Sequence, residues 1–163
     1  MNVGKRKPYA ILVFGAPMSG KTTFANRFSK SINAPYLNLS QLVKDYQITR
    51  PLGIEIIKQV AKSHNTLIIE GMINTEADRD EIRTLLTKAG YMPIIIWVQT
   101  DMNAIKQRMR QAYKTLAEAK VALADSYKGI EAPSDKEKTI VISGKHTYPT
   151  QCRNVINRLA DLH

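Results

Sequence analysis

The 163-residue sequence holds one cysteine, Cys152, and one tryptophan, Trp97. A lone thiol cannot close an intrachain disulfide, so a packed core must hold the fold, and a cytoplasmic setting is expected. Long apolar runs are missing too. The longest, Ala10–Phe14 and Pro93–Val98, have strand length and fall well short of the roughly 20 residues that span a bilayer. No membrane partner is expected. The basic start MNVGKRKP leads through an apolar run into a glycine loop and not into a small-residue cleavage site, so no secretory signal is expected. The histidines His64, His146 and His163 lie too far apart for metal-ligand spacing. His64 reads as a helix-ending imidazolium, and His146 as an exposed loop residue. Serine-nucleophile and thiol chemistry have no support beyond single residues. Acidic residues are scarce, with 14 Asp and Glu against 24 Lys and Arg, for a formal charge of +10. That balance suits anionic partners, whether nucleotides or nucleic acid, and equally a lysine-rich solvated surface. No nucleic-acid recognition motif accompanies it.

What is present is ordinary for a globular domain: 44% apolar and 23% charged residues. No repeat or linker divides the chain, which reads as one domain over residues 1–163. Tyr9–Phe14 and Thr66–Glu70 are apolar runs that stop at glycine, and Met92–Val98 is a third, the pattern of strands buried on both faces. Pro35–Leu39 and Lys138–Ile142 read as shorter strands. Between them lie helical segments from Lys21 to about Ser31, over Ser40–Asp45, and from Pro51 to about Ser63. A further helix follows Thr75, with Asp78 completing a capping box and Gly90 ending it. Asp101 opens a long helix with Ile105, Met109, Ala112 and Leu116 on one face, continuing as helix from Gln111 to Lys128. Pro149 opens the last. Trp97 reads as core, and Lys5, Arg6 and Lys7 as a mobile basic tail. Strands alternating with helices predict an α/β fold with a parallel sheet covered on both sides.

Gly15-Ala16-Pro17-Met18-Ser19-Gly20-Lys21-Thr22 fits G-x-x-x-x-G-K-[ST] at every required position, with a buried strand before it and a helix after it. The chemistry explains the spacing. Gly15 and Gly20 allow backbone angles and close approach that a side chain would block. Successive loop N–H groups, extended by Thr23 at the helix start, then surround phosphate oxygens. Lys21 reaches the β- and γ-phosphates, and the Thr22 hydroxyl helps hold Mg²⁺. The expected ligands are therefore ATP or another nucleoside triphosphate, with Mg²⁺. An acid at a neighbouring strand end usually completes such a site. Glu70, followed by Gly71, is preferred over Asp101, which more simply caps a helix. Glu70 could order Mg²⁺ through water or accept a proton from an attacking hydroxyl.

With these features the chain resembles the P-loop kinases of small molecules and nucleotides over nearly its whole length. LIIEGM is similar to the Glu-Gly strand end of uridine-kinase-like enzymes. The stretch from Arg79 through IIIWVQTDMNAIKQRMR resembles predicted kinases related to the polynucleotide 5′-kinase domain. The resemblance implies a three-layer α/β/α domain with a five-stranded parallel sheet in the order 2-3-1-4-5. It implies a mobile lid, about residues 108–133, carrying Arg108 and Arg110. Arg108 is expected to act on the transferring phosphoryl group, and Arg110 to be the less favoured nucleotide contact. It also implies that the loop Ser143-Gly144-Lys145-His146-Thr147, with Lys145, meets the nucleotide base.

The sequence departs from that pattern after the second strand. Polynucleotide-kinase relatives usually carry an Asp-Asp-x-x-Arg-like segment there, and this chain reads Asn38-Leu39-Ser40-Gln41-Leu42-Val43. The acceptor base then falls to Glu70 or Asp45, or acceptor chemistry has changed or been lost. The leading expectation is an ATP-dependent phosphotransferase with catalytic Lys21, Glu70 and Arg108, acting on a small-molecule, nucleoside or nucleotide acceptor. The alternatives are a nucleic-acid 5′-end kinase and a nucleotide-binding or ATPase-type switch.

Overall fold

The computed structural model describes residues 6–162, so Lys5 and His163 lie outside the described residues. Five strands form one parallel sheet: β1 (Tyr9–Phe14), β2 (Tyr36–Asn38), β3 (Leu67–Glu70), β4 (Met92–Gln99) and β5 (Thr139–Ser143). Their order, β2-β3-β1-β4-β5, is the expected one. Register places Val13 beside Glu70 and Phe14 beside Trp97, so the C-terminal ends of the three central strands gather at one rim. The phosphate loop leaves β1 at that rim.

The described residues also form seven helices: α1 (Lys21–Ser31), α2 (Leu39–Tyr46), α3 (Arg50–Ala61), α4 (Glu76–Lys88), α5 (Met102–Ala112), α6 (Leu116–Tyr127) and α7 (Tyr148–Ala160). On one face, Phe24, Ala25 and Phe28 of α1 and Val155 of α7 pack against Ile11, Val13, Ile68, Ile94 and Ile96. On the other, α2, α3 and α4 bring Leu39, Ile54, Ile57, Ile82 and Leu86 onto Leu12, Ile69 and Ile95. The central strands are apolar on both sides because both sides are covered. Each fully buried aliphatic side chain contributes about 1.5–3 kcal/mol relative to exposure. A separate small cluster joins Ile105, Met109 and Ala119 of α5 and α6 to Ala16 of the loop.

The local signals set most boundaries. Thr75 and Asp78 form the predicted capping box of α4, and Asp101 caps α5 by accepting from the Ala104 amide. Thr49 caps α3, with Pro51 in its first turn. One expectation fails. The helix predicted to run on through Leu116 to Lys128 is broken at Tyr113, which adopts an extended conformation. Thr115 and Glu118 then form a second capping box, which starts α6. The Thr-x-x-Glu signature at 115–118 was present in the sequence and obscured by the helix formers around it. Leu116 is consequently exposed and does not extend the buried stripe.

Candidate active site

The phosphate loop is shaped by contacts that admit no larger residue. A Cβ on Gly15 would stand 2.6 Å from the Val98 carbonyl oxygen and 2.7 Å from Ser19 Oγ. Gly20 sits at φ +97°, a left-handed angle that L side chains rarely adopt. The loop is pinned from β4, since Thr100 Oγ1 donates to the Ser19 carbonyl at 2.9 Å. Ser19 Oγ itself is fully buried with no hydrogen-bond partner among the described residues. Lys21 leans back over the loop, with Nζ 3.4 Å from the Ala16 carbonyl oxygen. Burial pushes the Lys21 ammonium below its usual range, and the Glu70 charge restores part of the shift. A desolvated cation of this kind beside a glycine loop is able to receive an anion.

Glu70 lies where the sequence placed it, and the structure ties it down on both oxygens. The Thr22 hydroxyl donates to Oε1 at 2.6 Å, and the Tyr36 phenol donates to Oε2 at 2.5 Å. The carboxylate is 2% exposed. β2 pairs with β3 so that Tyr36 sits beside Ile68, two residues before Glu70 on the same sheet face. Burial and the bond to Glu70 push the Tyr36 phenol far above the usual tyrosine range, so it is a fixed donor. The oxygen set of Thr22 and Glu70 suits Mg²⁺, which favours one or two protein oxygens and takes its remaining ligands from water and phosphate.

Arg108 lies beside the phosphate loop. From α5 it donates to the Met18 carbonyl at 2.6 Å and to the Gly144 carbonyl at 3.1 Å, bridging the phosphate loop and the loop after β5. A groove of about 480 Å³ runs between these elements. Met18, Gly20, Lys21, Thr22, Thr23 and Arg108 line it at the phosphate end. The far end is formed by side chains that sequence reasoning missed: Arg27, Tyr148 and Gln151. The Arg27 guanidinium stacks 4.2 Å over the Tyr148 ring, which joins α1 to α7. Arg27 lies four residues after Thr23 on α1, a spacing that was legible, whereas Tyr148 is brought in only by tertiary packing.

Two expected contacts point elsewhere. Arg110 is exposed and borders a shallow groove between α5 and α6 with Leu116 and Lys120. The cause is its two-residue offset from Arg108, which turns it to another side of the helix. Lys145 pairs with Asp101 at 2.8 Å and does not line the phosphate groove, whereas Gly144 and His146 of the same loop do. Asp45 accepts from the Gln41 side chain on the exposed surface of α2. Arg79 is a structural residue. Fully buried, it spreads over the Phe14 ring at 4.8 Å and donates to Glu137 at 2.8 and 3.0 Å. It also donates to the Glu131 and Ala132 carbonyls, and so fastens the chain leaving α6 to the start of α4.

No protein-family model matches the sequence, and no curated protein matches it. Solved structures do match. The APS kinase CysC of Mycobacterium tuberculosis, in complex with AMPPNP and APS, superposes with a TM-score of 0.70 at 12% identity, over 96% of this chain and 99% of that one. A gluconokinase from Sinorhizobium meliloti gives 0.67 at 17% identity, over 97% and 95%. Kti12 of Chaetomium thermophilum, in complex with ADP-AlF3, gives 0.68 at 14% identity, over 93% and 97%. Sheet order, phosphate loop and these superpositions together show that the chain has the fold of the P-loop kinases.

Proposed function

We propose that the chain is an ATP-dependent phosphotransferase that moves the γ-phosphoryl group to the hydroxyl or phosphate of a small-molecule or nucleotide acceptor. The observation that carries this reading is the buried Glu70 carboxylate bonded to the Thr22 hydroxyl, directly beside the phosphate loop. The bond between the γ-phosphorus and its bridging oxygen breaks as one to the acceptor oxygen forms, ADP leaves, and the proton of a hydroxyl acceptor passes to water. Loop amides and Lys21 bind the β- and γ-phosphates, and Arg108 meets charge developing on the equatorial oxygens. Thr22 and Glu70 would hold Mg²⁺, which supplies charge neutralisation between the two phosphates. With both oxygens accepting hydrogen bonds, Glu70 serves better as an anchor than as a base. A loose phosphoryl transition state asks little of a base, so the missing aspartates near Ser40 and Gln41 do not remove the chemistry. The segment from about residue 108 to 133 forms the lid, within a single domain, and the lone cysteine suits a cytoplasmic enzyme.

A nucleotide-binding switch is the second reading, favoured by the same double engagement of Glu70, which suits an anchor better than a base. Both readings meet one experiment. Transfer from labelled ATP is followed across nucleosides, nucleotides, sugars and 5′-hydroxyl oligonucleotides, for the wild type and Glu70→Gln. A phosphotransferase labels an acceptor and loses most of that rate in the variant while still binding ATP. Acceptor-independent hydrolysis, equal in both proteins, refutes the assignment.

A further inference from the structure

A second cavity, about 680 Å³, opens where β4 and β5 end, on the other side of the Ser143–His146 loop from the phosphate groove. His146 borders both, and Ala16 of the phosphate loop borders this one. Its floor is an unfinished piece of sheet. Trp97 and Val141 are neighbours in register; Trp97 packs at the margin of the core that α3 and α4 cover, and Val141, on the edge strand, lies outside that core. Val141 is 47% exposed. Trp97, expected to be core, rests one side against Phe14 at 6.2 Å between ring centroids and turns the other to the cavity. Tyr127 closes over it from the end of α6.

The two cavities differ in charge. The phosphate groove gathers Lys21, Arg27 and Arg108 with no carboxylate in its lining. In the second cavity the only ammonium, Lys145, is neutralised by Asp101 at 2.8 Å. Among its other polar side chains, the amides of Gln99 and Asn154 have no hydrogen-bond partner among the described residues. A pocket whose lysine is paired with an aspartate, with aromatic walls and an amide able both to donate and to accept, does not select a phosphate. It selects a flat ring with a polar edge.

We infer that this cavity binds a neutral planar heteroaromatic ligand, a nucleobase or nucleoside, stacked on Trp97 and Tyr127 and read at its edge by Gln99. The inference stands apart from the phosphate loop and holds whether or not the chain transfers phosphate.

Trp97 is the sole tryptophan, so its fluorescence reports this cavity directly. Adenosine, guanosine, cytidine and uridine are titrated into the full chain, with a non-hydrolysable ATP analogue filling the phosphate groove and ribose as control. At least one nucleoside should quench saturably where ribose does not. Calorimetry on Tyr127→Leu should then show affinity for it falling about five- to tenfold, as loss of a stacking partner requires. Gln99→Ala, at an exposed position, should weaken it by a smaller factor without disturbing the fold. Three results overturn the inference: no nucleoside acts beyond ribose at millimolar concentration, quenching vanishes when the analogue is present, or affinity is unchanged in both variants.

Discussion

Removing one oxygen atom tests the structural account of Glu70. Tyr36→Phe keeps the ring that packs beside β3 and deletes the donor to Oε2 of a carboxylate that is 2% exposed. A hydrogen bond to a charged group contributes about 1.5–3 kcal/mol, and the buried oxygen left behind has no route to water. For a domain of this length each kcal/mol moves the thermal midpoint by about 2–4 °C, so a fall of roughly 3–12 °C is expected. Tyr91→Phe is the internal comparison. Its hydroxyl donates to the neutral Ala61 carbonyl at 3.0 Å, a bond of about 0.5–1.5 kcal/mol. Differential scanning calorimetry of both variants without nucleotide separates the charged bond from the neutral one. If Tyr36→Phe melts with the wild type, or loses no more than Tyr91→Phe, the phenol does not carry Glu70.

Lys21→Ala should keep the wild-type melting profile and lose Mg²⁺-ATP affinity by calorimetric titration, because the side chain faces the loop and not the core. Arg108→Ala should lower turnover on the order of tenfold or more, and more than it weakens ATP binding, short of the 10³–10⁵ of a dedicated arginine finger. Normal kinetics in that variant would reduce Arg108 to a clasp between Met18 and Gly144. Arg79→Met should destabilise by about 3–5 kcal/mol in urea, since it strands a buried Glu137. Burial raises the Glu137 carboxyl, but bonds from Arg79 and the Ser134 amide, with the charges of Arg79 and Arg83, hold it below its ordinary 4.5 overall. Its stabilisation is therefore complete above that ordinary value and is lost as pH falls through the lower folded one. Glu137→Gln should flatten the acid limb of the stability curve, and an unchanged limb would remove Glu137 from the account.

Legibility followed the range of the interaction. The phosphate loop is written in eight consecutive residues, and its glycines, Lys21 and Thr22 took their expected places because backbone angle and helix start are local. Glu70 was legible because a buried strand ending in an acid before glycine is also local. Tyr36 was not. Its role depends on the register between β2 and β3, and a three-residue strand carries no periodic signal strong enough to fix register. Arg27 and Tyr148 meet only because α1 and α7 pack side by side on one sheet face. Lys145 was placed at the base by family resemblance, and the resemblance located its loop but not its side chain, which Asp101 draws away. The break at Tyr113 was a local signal passed over, since the box at 115–118 competes with a long run of helix formers.

The rim of the sheet explains why the nucleotide half of the site is better defined than the acceptor half. β1, β3 and β4 end together there, and each end contributes a fixed group: the loop after Phe14, the carboxylate of Glu70 and the Thr100 hydroxyl that pins Ser19. These groups are buried or bonded to backbone, so their positions are set by the core and not by a ligand. By contrast, α2, the start of α3 and the α5–α6 segment rest on the sheet through fewer buried side chains. Arg79 limits how far that last segment can move. By holding the carbonyls of Glu131 and Ala132 against α4, it fixes the exit of α6, while Asp101 and Lys145 tether the entry to α5. A turn of that segment would run between two anchored ends. Arg108 is the group such a turn would carry toward or away from the phosphates, because the loop carbonyls of Met18 and Gly144 are its only hydrogen-bond partners among the described residues.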